Sequence, residues 1–241
     1  MNNTNNTFKL YPLLIAFLIA SQVMCFIYAR RQIDIIHMPV NASGIMFPID
    51  LYLVEIIGEC YGYEYSRQSV WINTIIHIFY LVTVVLISLI PYSDFMHQDL
   101  KFSYQHLIDI SWVVALGSLL GTFLGDLFSA RVVPQTKVIL NGKYTFLRIF
   151  FAQFVSELIV TSSYLLSFLT NNYSFYQTLQ LIMHTVLIKS IMALLLWPVA
   201  KIAIYQIKKY EQIEGFDFHQ DYKTLAFAIK NSRLKLKGVY R

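Results

Sequence analysis

Between Leu10 and Ala29 this chain carries no charged residue. A helix of that length covers about 30 Å, the hydrocarbon thickness of a bilayer. Further predominantly apolar runs extend from about Ser69 to Pro91, Ile108 to Ala130, Ile149 to Leu169 and Leu179 to Val199. Runs of this kind bury their backbone polar groups as helices, because lipid offers no alternative hydrogen-bond partner. Composition argues against a soluble domain. With 56% hydrophobic and 14% charged residues, a water-facing surface would lack the ions it needs. The leading Asn-rich tract and the length of the first run argue for a retained span one rather than a signal peptide. The Asn-Xaa-Ser/Thr triplets at Asn2, Asn5, Asn41 and Asn172 are read as chance matches in an Asn-rich chain. Cys25 and Cys60 stand alone, without metal-ligand or disulfide spacing.

A sixth span is less legible. Val40 to Glu59 contains Pro48, Asp50, Glu55 and Glu59, so hydropathy alone rejects it. Charge asymmetry restores it. With six spans and both termini cytoplasmic, the inside segments hold Lys9, Arg67, Arg131, Lys137, Lys143, Arg148 and the basic residues from Lys201 onward. Only Arg30, Arg31 and Lys101 fall outside, the expected positive-inside distribution. The fold class expected is an all-α integral membrane protein with six transmembrane helices. Residues 1–205 form the transmembrane domain, and 206–241 a basic cytoplasmic tail. That tail either rests on an anionic leaflet or is solvated. The net charge of +5 arises from such anchors, so no nucleic-acid partner is implied.

Ionisable side chains at membrane depth cost at least about 2.5 kcal/mol and face a protein interior or a wet cavity. The predicted spans contain Asp50, Glu55, Glu59, His77, Asp109, Asp126, Glu157, His184 and Lys189. Glu55 and Glu59, four residues apart, share a helical face, with Tyr52 preceding them on it. Glu157 and Lys189 lie near the middle of their spans, where the cost is greatest. Each has a plainer reading. Glu157 and Lys189 can simply pair with each other, Asp126 with Arg131, and Asp109 and Glu59 can meet headgroups. His77 reads as a packed histidine, and Arg148 as a headgroup anchor. Trp71, Trp197, Tyr144 and Tyr92 suit interfacial belts. Tyr52 and Trp112 suit either helix packing or stacking on a planar ligand. Gly117, Gly121 and Gly125 form a ladder that permits close helix approach.

The segment FPIDLYLVEIIGECYGYEYSR, Phe47 to Arg67, resembles the signature of the VUT family of vitamin uptake and queuosine precursor transporters. Phe47, Pro48, Glu55, Glu59, Tyr61, Gly62 and Arg67 fall in register, with Glu55 where the family usually has Asp. The resemblance continues through GSLLGTFLGD, NGKYTFLRIFFAQFVSELI with Arg148, and LIKSIMALLLWP with Lys189 and Pro198. It covers about Ala42 to Val199. It implies the six-helix fold of energy-coupling-factor substrate-binding subunits, a place in the cytoplasmic (inner) membrane, and import of 7-deazaguanine precursors without a dedicated ATPase or cofactor. The family's Gln and Asp three residues apart are replaced by Asp126 and Ser129, then by Glu157 and Val160. That departure leaves the transport class and opens the substrate to a differently decorated purine.

The resulting expectation is an importer of a 7-deazaguanine-like or vitamin-like solute, with no metal. Its binding set is Tyr52, Glu55, Glu59, Asp126, Arg148, Glu157 and Lys189. A guanine-like edge presents parallel N–H donors that a buried carboxylate can accept in bidentate fashion. Two alternatives stand beside it: a membrane-embedded enzyme, which lacks any HExxH or GxSxG pattern, and a binding subunit serving a shared ATPase. Lipid is the surrounding partner, and homo-oligomerisation is left open.

Overall fold

The computed structural model describes residues 8–28, 31–35, 38–93, 95–108, 112–166 and 174–213. Arg30, Asp109, the triplets at Asn2, Asn5 and Asn172, and the tail beyond residue 213 lie outside them. The helices are α1 (Tyr11–Tyr28), α2 (Ser43–Tyr61), α3 (Tyr63–Ser88), α4 (Gln98–Ile108), α5 (Trp112–Ile139), α6 (Thr145–Leu166) and α7 (Phe175–Glu211). All but the short α4 are long enough to cross a bilayer. Helices α1, α3, α5, α6 and α7 are also apolar enough. The chain is a multi-pass, helical membrane protein.

Helix α2 carries three carboxylates and fails an apolarity criterion, yet it is the centre of the bundle. It packs against α1, α3, α5, α6 and α7. Fourteen of its nineteen residues are buried. Lipid therefore never meets Asp50, Glu55 or Glu59; the surrounding helices do. Conversely Phe79, Leu86, Leu195, Val199 and Ile202 are more than half exposed, as side chains solvated by acyl chains should be.

A two-stranded antiparallel hairpin, β1 (Gln32–Ile35) and β2 (Met38–Asn41), connects α1 to α2 within the otherwise helical fold. It pairs Ile33 with Val40 and Asp34 with Pro39. Strand β2 packs on α7, and Val40 is 1% exposed. Span two therefore starts at Ser43, not Val40. Pro39 is tolerated because a two-stranded sheet consists of edges.

At the opposite end of α2, a single residue turns the chain into α3. Gly62 has φ 88° and ψ −176°, a region open essentially to glycine alone. Around it Phe8, Tyr11, Tyr61 and Tyr65 pack with ring centroids 4.8–6.1 Å apart, docking the start of α1 on the turn.

Helices α5 and α6 meet most closely. A Cβ at Gly121 would stand 2.8 Å from Ser163 Cβ, and one at Gly125 2.6 Å from Val160 Cγ2. The hydroxyl of Ser156 donates to the carbonyl of Gly125 across the same contact, at 2.8 Å. Two helices continue past their apolar runs. Helix α5 reaches Ile139 and α7 reaches Glu211. At 1.5 Å per residue α7 is about 55 Å long, well beyond a bilayer core, and it crosses the expected domain boundary at residue 205.

Candidate functional site

Ionisable side chains collect at two levels along α2. Asp50 and Glu59 stand nine positions apart, about 13 Å of helix, with Glu55 between them.

At the Gly62 end, Glu59 is gripped from three other helices. Its carboxylate lies 3.0 Å from Arg148 Nη1 on α6, 2.7 Å from Lys208 Nζ on α7 and 3.7 Å from Lys137 Nζ on α5. Lys137 also donates to the Glu59 carbonyl at 2.7 Å. Arg148 spends its remaining donors on the carbonyls of Lys143 and Val133 and on Thr145 Oγ1, at 3.0–3.2 Å. Glu59, Lys137 and Arg148 are buried, and the Lys208 side chain is 30% exposed. The arrangement cross-links four helices through one carboxylate. Arg148 is thus an interior residue, and the headgroup-anchor reading does not describe its position.

The second level has the opposite balance. Asp50, Glu55, Asp126 and Glu157 are each 0–1% exposed, and the buried cation at this level is Lys189. Its ammonium donates to Glu157 Oε2 at 2.7 Å and to Thr161 Oγ1 at 3.3 Å. It also lies 4.0 Å from the centre of the Phe47 ring. A desolvated ammonium over an aromatic face gains about 2 kcal/mol, so the pair is held on three sides. Ser129 donates to Glu55 Oε1 at 3.0 Å. Ser21 donates to Asp50 Oδ1 at 2.7 Å, and Asn73 Nδ2 to Asp126 Oδ2 at 3.0 Å.

In every case the second carboxylate oxygen is left over. Asp50 Oδ2, Glu55 Oε2, Asp126 Oδ1 and Glu157 Oε1 are buried without a hydrogen-bond partner, as are Gln153 Oε1 and Asn73 Oδ1. Buried polar atoms are normally satisfied, and each orphan costs about 1–3 kcal/mol. A set made only of acceptors calls for donors. Among the described residues, no group of three His, Cys, Asp or Glu is placed to hold a metal ion.

The seven residues picked out in the sequence thus divide. Glu59 and Arg148 belong to the terminal cross-link, and Glu55, Asp126, Glu157 and Lys189 to the central level. Tyr52 gives its hydroxyl to the carbonyl of Ala193 on α7, at 2.8 Å. Its ring lines an apolar cavity of about 230 Å³ between α2 and α7. His77 packs on Phe26 with centroids 4.3 Å apart.

Several participants escape a reading based on hydropathy and charge. Asp50 is visible as a charge but not as part of the central set. Ser21, Asn73 and Gln153 are uncharged, and only their recurrence on the buried faces of successive helices marks them. Lys137 and Lys208 look like topology anchors until the extra helical turns of α5 and α7 carry them against Glu59.

Comparison with known proteins supplies the family. No curated protein and no solved structure matches the chain significantly. Residues 41–203 match the family described as "Putative vitamin uptake transporter", more than half of the 241 residues. The matched region begins in β2 and ends within α7, so it includes the central carboxylates with Lys189, and Glu59, Lys137 and Arg148 of the cross-link but not Lys208. The chain belongs to this family of vitamin uptake transporters.

Proposed function

We propose that the chain imports a planar, donor-rich solute of the 7-deazaguanine type, bound at the central level of the bundle. The observation that carries this reading is the pair of orphaned acceptors Glu55 Oε2 and Glu157 Oε1. Adjacent ring and exocyclic N–H groups of a guanine-like edge would supply the missing donors. Charge-assisted hydrogen bonds of this kind are about twice as strong as neutral ones. Gln153 Oε1 adds an acceptor, while its amide nitrogen donates to the Pro48 carbonyl at 3.3 Å.

In this reading the Glu59 cross-link closes one end of the pathway. Breaking the grip of Lys137, Arg148 and Lys208 would let α5, α6 and α7 part from α2 and release the solute. The end bearing these cations faces the cytoplasm of the inner membrane by the positive-inside rule, with both termini on that side. The chain acts as a carrier, and no bond of the solute is made or broken.

The test is uptake of a labelled 7-deazaguanine by cells unable to synthesise one. Expression of the chain should confer uptake that unlabelled guanine-edged analogues compete away and adenine does not. Uptake no higher than in cells lacking the chain, at confirmed membrane expression, would overturn the substrate class.

A further inference from the structure

One group at the central level remains unassigned. Asp50 on α2 and Asp126 on α5 are brought together through two adjacent residues of α1 and one of α3. Ser21 bonds Asp50 at 2.7 Å. Asn73 bonds Asp126 at 3.0 Å and approaches Gln22 Oε1 at 3.5 Å. Each carboxylate is thereby fixed by one oxygen, while Asp50 Oδ2 and Asp126 Oδ1 stay free. An uncharged residue points to the same ligand. Asn73, 1% exposed, gives its amide N–H to Asp126 but leaves its own carbonyl Oδ1 without a donor.

We propose that Asp50, Asp126 and Asn73 form a proton-binding site, separate from the Lys189–Glu157 pair, which couples solute import to proton entry. The proposal rests on the transporter reading above. One proton on a free carboxylate oxygen converts an acceptor into a donor, for which the other carboxylate and Asn73 Oδ1 are the acceptors at hand. A hard metal cation fits less well, because such ions take about six or more oxygens and this group leaves three side-chain oxygens without a partner. No bond of the solute changes. The proton arrives from the outer side, resides on the pair and leaves to the cytoplasm.

The titratable surroundings are fixed by every helix packed on α2. Helix α1 contributes Cys25, α5 Asp126 and α6 Glu157, each within electrostatic reach of Asp50, and α7 contributes Lys189, which pairs with Glu157. Helix α3 contributes Asn73, with His77 one turn on and packed against Phe26. Glu55 follows on α2 itself, within reach of both Asp126 and Glu157. Asp126 therefore borders both the proton pair and the acceptors assigned to the solute. Loading one changes the charge that the other meets, which is the requirement for coupling.

The site can be tested without any solute. Dicyclohexylcarbodiimide attacks protonated carboxyl groups in apolar surroundings. The full-length protein in detergent micelles should be modified at Asp50 or Asp126, as located by peptide mass mapping, and modification should be lost as pH is raised. Asp126→Asn removes the like charge beside Asp50, so loss of labelling at Asp50 should move to lower pH. Sodium ions should have no effect. Labelling confined to Glu55 or Glu157, or protection by sodium, would overturn the site. The wild-type profile alone decides this if the variant fails to fold. Where a labelled 7-deazaguanine is taken up, a protonophore should abolish its accumulation, and undiminished accumulation would overturn the coupling. Failure of uptake itself would count against the substrate class and leave the labelling result standing.

Discussion

Replacing Glu157 by Gln separates substrate contact from structural pairing. The carboxylate is 1% exposed and the Lys189 side chain 7%, so neither charge is relieved by water. Gln keeps an oxygen for the ammonium but removes the anion. Lys189 would retain Thr161 at 3.3 Å and the Phe47 ring at 4.0 Å. Removing one partner of a buried pair costs about 3–5 kcal/mol. Those retained contacts place Glu157→Gln near the lower figure, a fall in Tm of about 6–12 °C for a chain of this size. Glu157→Gln combined with Lys189→Met removes both charges and should recover most of that loss, since an apolar replacement of a buried pair is often neutral. Solute contact is read independently. If Glu157 Oε1 accepts from the solute, the double variant, though stable, should bind it about 10- to 150-fold more weakly, the value of a charged hydrogen bond. Thermal unfolding in detergent and equilibrium binding give the two readouts. Wild-type stability and wild-type affinity in Glu157→Gln would refute the argument in both forms.

Arg148→Lys cannot reproduce four contacts with one ammonium. It should cost about 1–3 kcal/mol, seen as a lower Tm, and unchanged stability would return Arg148 to the role of an anchor. Gly121→Ala drives a methyl group against Ser163 and the Val160 backbone, at 2.8 and 3.1 Å. Overpacking of this kind costs about 1–3 kcal/mol, and a wild-type Tm would show that α5 and α6 are free to separate. Gly62→Ala forces a side chain into the φ 88° conformation at about 1–3 kcal/mol, and should lower the yield of folded protein in detergent. Reporter fusions after Asn2 and after Lys208 should both report cytoplasmic, and opposite sides would remove the six-crossing topology.

How far the fold could be read depended on what each helix touches. Helices α1, α3 and α6 present long apolar faces to lipid, and their runs announced them. Helix α2 buries all three of its carboxylates against protein, so they cost nothing in lipid and hydropathy was blind to it. Only the placement of basic residues on either side required a crossing there. The ends of α5 and α7 were misplaced for a related reason. Hydropathy reports where lipid stops, whereas Ile139 and Glu211 mark where the helices stop. The hairpin at residues 32–41 was unread because each four-residue strand is too short to establish alternation against the neighbouring apolar run.

The site was legible where a charge had to be explained and illegible where a charge already had an explanation. Glu55, Glu157 and Lys189 stand at membrane depth, where the cost of an ion forces a question. Lys137 and Lys208 stand past the apolar runs, where a cation is expected as an anchor, so nothing in the sequence asks for a partner. The structure gives them one in Glu59, the carboxylate nearest the Gly62 turn on the one helix that every other span packs against. Three of the cations expected from the sequence as topology anchors, Lys137, Arg148 and Lys208, are therefore the ones that bind Glu59. A substitution at Lys137 or Lys208 should be judged first by its effect on the four-helix cross-link, because each makes a direct contact with the buried Glu59 carboxylate.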